Sequence, residues 1–150
     1  MSHDRDLVLA IDQGTTGSTC LLVDTELRVL ARATHEYPQH FPQPGWVEHE
    51  PDQIWESVLR AIADVLAKAA IDARRIAAIG VTNQRETSLV WQRDGGRPIH
   101  RAIVWQDRRT ADRCAELRAA GTQDRVRAVT GLVLDPYFSA TKLEWMLRDA

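Results

Sequence analysis

Between Leu7 and Asp24 an apolar run ends in a carboxylate, Asp12. It then gives way to Gln13-Gly14-Thr15-Thr16-Gly17-Ser18-Thr19 before a second apolar run starts at Cys20. Glycines let backbone amides approach an anion closely, and adjacent hydroxyls add donors. Such a run suits a phosphate cradle built without a helix. It equally suits a type I′ hairpin turn that holds no ligand. Taken alone, the loop leaves both readings open.

A second candidate lies at Arg85-Glu86, directly after the apolar run at 76–82. That puts the pair at the carboxyl end of a strand, where open α/β sheets place their ligands. A guanidinium donates hydrogen bonds and a carboxylate accepts them, so the two side chains complement a hydroxylated molecule. A surface ion pair is the other reading, and position alone does not choose between them.

The elements that must hold these residues are legible. Residues 7–12, 19–24 and 27–35 read as three strands, the last two forming an antiparallel hairpin across Thr25-Glu26. Residues 36–51, with Pro38, Pro42, Pro44, Gly45 and Pro51, read as a loop without regular structure. Residues 52–70 read as a helix with Ile54, Trp55, Val58, Leu59, Ile62, Val65 and Leu66 on one apolar stripe, which makes Trp55 a core residue. Residues 76–82 read as a fully buried strand parallel to the first. Short strands at 87–92 and 102–105 flank the Asp94-Gly95-Gly96 turn. Helices follow at 108–120, stopping at Gly121, at 123–129, and from Ser139 or Thr141 to the end of the chain. Three strands precede the first helix, which argues against a Rossmann domain, and the absence of GxxxxGK[ST] argues against a P-loop enzyme.

Composition removes several function classes. The 150 residues suffice for one domain. Nineteen Lys and Arg against 21 Asp and Glu give a net charge of −2, with no basic stripe for nucleic acid and no membrane patch. No apolar run reaches spanning length, and the polar start lacks a signal peptide, so a cytoplasmic location is expected. Cys20 and Cys114 are far apart and read as reduced, buried thiols. The five histidines (His3, His35, His40, His49, His100) lack metal-ligand spacing.

The β-β-β-α-β order resembles the α/β ribonuclease-H-like fold of actin, hexokinase and sugar kinases. Four segments make the resemblance narrower: Asp12-Gln-Gly-Thr-Thr16, Pro44-Gly-Trp-Val-Glu-His49, Gly80-Val-Thr-Asn-Gln-Arg-Glu-Thr87 and Ile103-Val-Trp-Gln-Asp-Arg-Arg109. A fifth, Gly131-Leu-Val-Leu-Asp-Pro-Tyr-Phe-Ser139, fits the same pattern. Together they resemble the FGGY carbohydrate kinases, and among them the members that act on glycerol, over nearly the whole chain from Leu7 onward.

The resemblance implies ATP-dependent phosphorylation of glycerol to glycerol 3-phosphate, with Mg2+ accompanying ATP and with ADP as the other product. It assigns Gly14, Thr15, Thr16 and Gly17 to the ATP phosphates. Asp12 would reach a magnesium ion through water. Arg85, Glu86, Trp105 and Tyr137 would bind glycerol, an aromatic wall packing its carbons and a phenol bonding one hydroxyl. Asn83 and Gln84 would orient Arg85 from behind. Residues 1–150 then correspond to an incomplete N-terminal domain: strands and phosphate loop at 7–35, loop at 36–51, helix at 52–70, strand and substrate motif at 76–87, and the remainder at 88–150. The catalytic base and the second domain would lie elsewhere, the fragment alone would be inactive, and the full-length protein would form a homo-oligomer. One position departs from the pattern: Thr19 stands where these kinases commonly carry an arginine that contacts nucleotide phosphate, and threonine supplies no cation. The alternatives are another polyol or sugar kinase of the family, or a non-catalytic binding module.

Overall fold

A computed structural model describes residues 5–150; the first four residues, His3 among them, lie outside the described residues. In chain order the elements are β1 (Leu7–Gln13), β2 (Gly17–Asp24), β3 (Val29–Glu36), β4 (Glu48–His49), α1 (Pro51–Ala69), a 3-10 turn (Ala73–Arg75), β5 (Ile76–Asn83), β6 (Ala102–Ile103), α2 (Ala111–Ala119), α3 (Gln123–Thr130) and α4 (Ser139–Arg148). They form two compact units. One comprises the chain up to Pro38 with Asp52–Gln84, the other Gln39–Pro51 with Arg85–Ala150.

The first unit is a four-stranded sheet in the order β3-β2-β1-β5. β2 is antiparallel to both neighbours, and β5 runs parallel to β1. Strand side chains alternate between faces, so Leu7, Leu9 and Ile11 share one face with Cys20, Leu22 and Ala33. Helix α1 covers that face through Val58, Ala61 and Val65. Each buried valine or leucine contributes roughly 1.5–3 kcal/mol relative to an exposed one. Small residues set the close approach: Ala61 is fully buried, and the Ser57 hydroxyl meets the Ser18 hydroxyl of β2 at 2.7 Å. Pro51 opens the helix with its φ already suited to the first turn, and Asp52 and Lys68 sit at the ends their charges favour.

Three expectations about this unit need correction. Trp55 is not core: it is 62% exposed, because the contact stripe of α1 runs through Ser57, Val58, Ala61 and Val65 and leaves Trp55 and Leu59 beside it. The β5 strand is parallel to β1 as expected but is not fully buried. It lies at the sheet edge, Ile79 and Val81 are 60% and 70% exposed, and only its Ile76 reaches the cluster under α1. The β2–β3 hairpin forms, but β3 starts at Val29, two residues later than expected. Asp24 takes over the turn, accepting the backbone N–H groups of Glu26 and Arg28, both at 2.9 Å, and Leu27 adopts φ +63°.

In the second unit, β4 pairs antiparallel with β6, and His40 bridges Glu48. The proline-rich segment 36–51 therefore carries a two-residue strand that period-based reading cannot detect. The expected strands at 87–92 and 102–105 shrink to β6 and isolated bridges, Ser88 with Ile103 and Trp91 with Pro98. The helix expected from 108 begins at Ala111, because the carboxylate of buried Asp107 captures the backbone N–H of Arg109 at 2.8 Å in a tight turn. Gly131 ends α3 in the left-handed conformation that glycine adopts without strain. The centre of the unit is polar. The buried Arg109 guanidinium pairs with Glu48 at 2.7 Å and Asp107 at 2.9 Å, and it lies 3.7 Å from the ring centre of Trp46 and 4.5 Å from that of Trp145. Cys20 and Cys114 are both buried and unbridged, and among the described residues no helix is long and apolar enough to cross a membrane.

Candidate functional site

The Gly/Thr loop belongs to the first unit and is a closed four-residue turn. Gly14 donates its N–H to the Gly17 carbonyl at 2.9 Å. None of residues 14–17 has positive φ, which excludes the type I′ turn, since that turn requires positive φ at both central positions. The glycines are needed for space instead. A Cβ on Gly17 would stand 2.6 Å from the His35 carbonyl oxygen and 2.9 Å from the Glu36 Cα, so Gly17 sits inside the β2–β3 ladder rather than in the loop.

A network that sequence reading did not foresee holds this turn. Tyr37, 8% exposed, donates its hydroxyl to the Gly14 carbonyl. The Gln13 side-chain amide donates to the same carbonyl and to the Tyr37 oxygen, each at 2.8 Å. From β5, the Gln84 amide donates to the Tyr37 oxygen at 3.0 Å, and the Gln84 backbone N–H donates to the Gln13 carbonyl at 2.7 Å. Burial pushes the Tyr37 phenol up, which keeps it a proton donor. Gln84 therefore braces the Gly/Thr loop, and Asn83 donates to the Gln84 carbonyl at 3.1 Å.

Asp12 lies near the end of β1, exposed, on the sheet face away from α1. It lines a groove of about 560 Å³ with Thr19, Leu21, Arg32, Gly80 and Thr82. Register explains the grouping. Asp12 is opposite Thr19 and Thr82, and Leu21 is opposite Arg32. The span from Asp12 to Cys20 contains no Lys or Arg. Arg32, two strands over on β3, is the cation on this groove, and its guanidinium has no hydrogen bond or ion pair among the described residues. Nothing in single-strand periodicity marks Arg32; only the β2–β3 register brings it onto the groove that Asp12 lines.

The second unit carries Arg85, Glu86, Trp105 and Tyr137. Glu86 does not pair with Arg85. Its Oε2 accepts the Ser139 N–H at 3.0 Å and the Ser139 hydroxyl at 2.7 Å, at the first turn of α4. That helix has no side-chain cap of its own, so a carboxylate from residue 86 satisfies its N-terminal donors and complements its dipole. Glu86 also has φ +63°, uncommon for a residue with a side chain. Lys142 binds the Glu86 carbonyl and, at 2.8 Å, the Tyr137 carbonyl. The Trp105 and Tyr137 rings meet edge to face with centres 5.9 Å apart. Glu86, Trp105 and Tyr137 are thus brought together, with Arg85 next in the chain. The Arg85 guanidinium, the Glu86 Oε1 atom and the Tyr137 hydroxyl have no partner among the described residues.

No group of three or more His, Cys, Asp or Glu side chains among the described residues is arranged to hold a metal ion. Asp12 and the neighbouring threonine hydroxyls are all oxygen donors, the set that suits a magnesium ion held through water and substrate phosphates.

The family model of the FGGY carbohydrate kinases, N-terminal domain, matches residues 7–150. The chain belongs to this family. Among FGGY relatives, the glycerol kinase of Bradyrhizobium diazoefficiens is 56% identical over 140 residues, covering 93% of this chain and 28% of that protein. The glycerol kinase of Rhodospirillum centenum is 56% identical over 144 residues, covering 96% of this chain and 29% of that protein. The chain therefore spans less than a third of the length of these FGGY relatives. Among solved structures, Plasmodium falciparum glycerol kinase with ADP superposes with a TM-score of 0.87 at 31% identity, over 97% of this chain and 29% of that one. Another FGGY structure, the xylulose kinase of Rhodospirillum rubrum, gives 0.85 at 29% identity over 95% of this chain and 29% of that one. The fold is the actin- and hexokinase-like one that the strand order suggests.

Proposed function

We propose that this chain is the N-terminal part of an ATP-dependent kinase that phosphorylates glycerol. The observation that carries the reading is the set of unpartnered groups in the second unit. The Arg85 guanidinium and one Glu86 carboxylate oxygen belong to adjacent residues, and the Tyr137 phenol belongs to an edge-to-face aromatic pair with Trp105. Donors, an acceptor and an apolar wall are what a short polyol presents partners for. High identity to glycerol kinases supports glycerol over other polyols.

In this reading Arg85 and Glu86 fix the glycerol hydroxyls, Trp105 packs the carbon chain, and Tyr137 bonds one further hydroxyl. A polyol lacking a hydroxyl would leave one of these groups unpaired, which is how the pocket selects. Gly14, Thr15 and Thr16 cradle ATP phosphates in a turn held stiff by Tyr37, Gln13 and Gln84, and Gly17, assigned to the phosphates with them, carries the turn into the β2–β3 ladder. Phosphoryl transfer asks mainly for positioning and charge neutralisation. Asp12 would hold Mg2+ through water, and the ion would neutralise charge on the phosphates. Arg32 brings a second positive charge to the Asp12 groove, which Thr19 cannot. The terminal hydroxyl of glycerol attacks the γ-phosphorus in line, the bond from that phosphorus to the β–γ bridging oxygen breaks so that ADP leaves, and the hydroxyl proton passes to a base outside these 150 residues.

The test is ATP-dependent formation of glycerol 3-phosphate by the complete gene product that carries this chain. Glu86→Gln should lose glycerol turnover far more than nucleotide affinity; equal loss of both refutes the assignment. Residues 1–150 alone should give no turnover. The near-equal likeness to a xylulose kinase structure motivates a second reading, a different FGGY sugar or polyol kinase, and a substrate panel on the same protein separates the two.

A further inference from the structure

Lys142 is fully buried, and the pocket chemistry above makes no use of it. A buried ammonium is costly unless it is well satisfied, and a hydrophobic side chain of similar size would fill the same space without that cost. Here the Nζ atom spans two separate backbone segments. It donates to the carbonyl of Glu86 and to that of Tyr137, 51 residues later. Both are pocket residues. Glu86 is also the residue whose backbone is left-handed, a conformation that costs energy in any residue with a Cβ and persists only when its surroundings enforce it.

We propose that Lys142 is the positioning residue of the polyol pocket, holding the left-handed Glu86 backbone and the Tyr137 backbone at a fixed separation so that carboxylate and phenol meet the same substrate. This rests on the function proposed above. Ser139 anchors the carboxylate end of Glu86, and Lys142 anchors its backbone; two fixed ends leave the side chain one orientation. The carboxylates of Glu86 and Asp107 face the ammonium and favour its charged form, but burial prevails and pushes it down to about 8.

The experiment uses the complete gene product. Lys142→Met keeps the length of the side chain and removes its donors; Lys142→Gln keeps an N–H donor without charge. Lys142→Met is expected to raise KM for glycerol at least tenfold and to leave KM for ATP within twofold, with Lys142→Gln intermediate. Equal rises in both constants, or an unchanged glycerol KM, overturn the proposal. If neither variant folds, the wild-type protein decides it: KM for glycerol should rise between pH 7 and 9 as Lys142 loses its proton and with it the charge assistance of its two hydrogen bonds. A flat glycerol KM over that range overturns the proposal. Should the wild type phosphorylate another polyol or sugar and not glycerol, the function proposed above fails on its own. The same KM split, read on that substrate, then tests Lys142 separately.

Discussion

The Glu86 carboxylate caps helix α4 across 53 residues of chain, accepting both the N–H and the hydroxyl of Ser139 on one oxygen. A residue assigned to substrate is therefore also a stability element. Ser139→Ala removes one charge-assisted hydrogen bond and leaves the backbone one in place. It should lower folding stability by about 1–2 kcal/mol, read as a fall in the urea midpoint with an unchanged slope. KM for glycerol should rise as well, because the carboxylate gains freedom.

Tyr37→Phe removes the hydroxyl that the Gln13 and Gln84 amides share and that the Gly14 carbonyl accepts from. Buried polar groups then lose a partner, at a cost of roughly 1–3 kcal/mol. The effect on activity should follow the loop. KM for ATP should rise severalfold and KM for glycerol stay near its wild-type value, as steady-state kinetics of the complete gene product would show. A shift in the glycerol constant alone would count against the loop's role.

Gly17→Ala should be far worse than Gly14→Ala. The new methyl at 17 meets backbone atoms at 2.6 and 2.9 Å, so the β2–β3 ladder must open. At 14 the nearest atom is 3.1 Å away and a small shift suffices. A loss of about 1–3 kcal/mol is expected for Gly17→Ala, and clearly less for Gly14→Ala, by chemical denaturation.

Burial, aided by the charge of His40, holds His49 down to about 4, so this histidine is neutral in the folded protein at neutral pH. The unfolded chain takes up a proton near the ordinary value of 6.5, before the folded one does. Stability from this group is therefore complete above pH 6.5 and lost as pH falls toward 4, by on the order of 3 kcal/mol in total. Comparing wild type with His49→Gln in denaturation curves between pH 7 and 4.5 checks it: the variant should show the shallower decline.

Unbroken apolar runs and the Gly/Thr stretch between them make β1, β2 and their loop readable from sequence, because local backbone preference and burial agree there. The α1 stripe is readable in phase but not in width. Seven apolar positions fit the helical period, yet the sheet contacts a narrower band, and Trp55 falls outside it. An apolar run such as 76–82 states what a strand can bury, not what covers it, so exposed Ile79 and Val81 were beyond reach. The pair β4–β6 joins residues more than 50 apart through two-residue strands, too short for any period. In the site, their place after a strand marks Arg85 and Glu86, and the family resemblance marks Trp105 and Tyr137. The supporting groups are not visible in this way: Lys142, bound to the Glu86 and Tyr137 carbonyls, reads as an ordinary helical lysine, and Tyr37, which braces the Gly/Thr loop, as one residue of the proline-rich loop.

The left-handed backbone at Glu86 limits how this pocket can change over generations of mutation. Glycine would relieve the backbone but abandon the cap on α4. Asparagine tolerates the conformation, yet it brings a shorter and uncharged side chain. Glutamine keeps the length and forfeits the charge. Each of these exits from glutamate gives up reach, charge or the cap on α4, so under the proposed function a change of substrate has an easier route through Tyr137, whose ring rests on its neighbours Trp105 and Phe138.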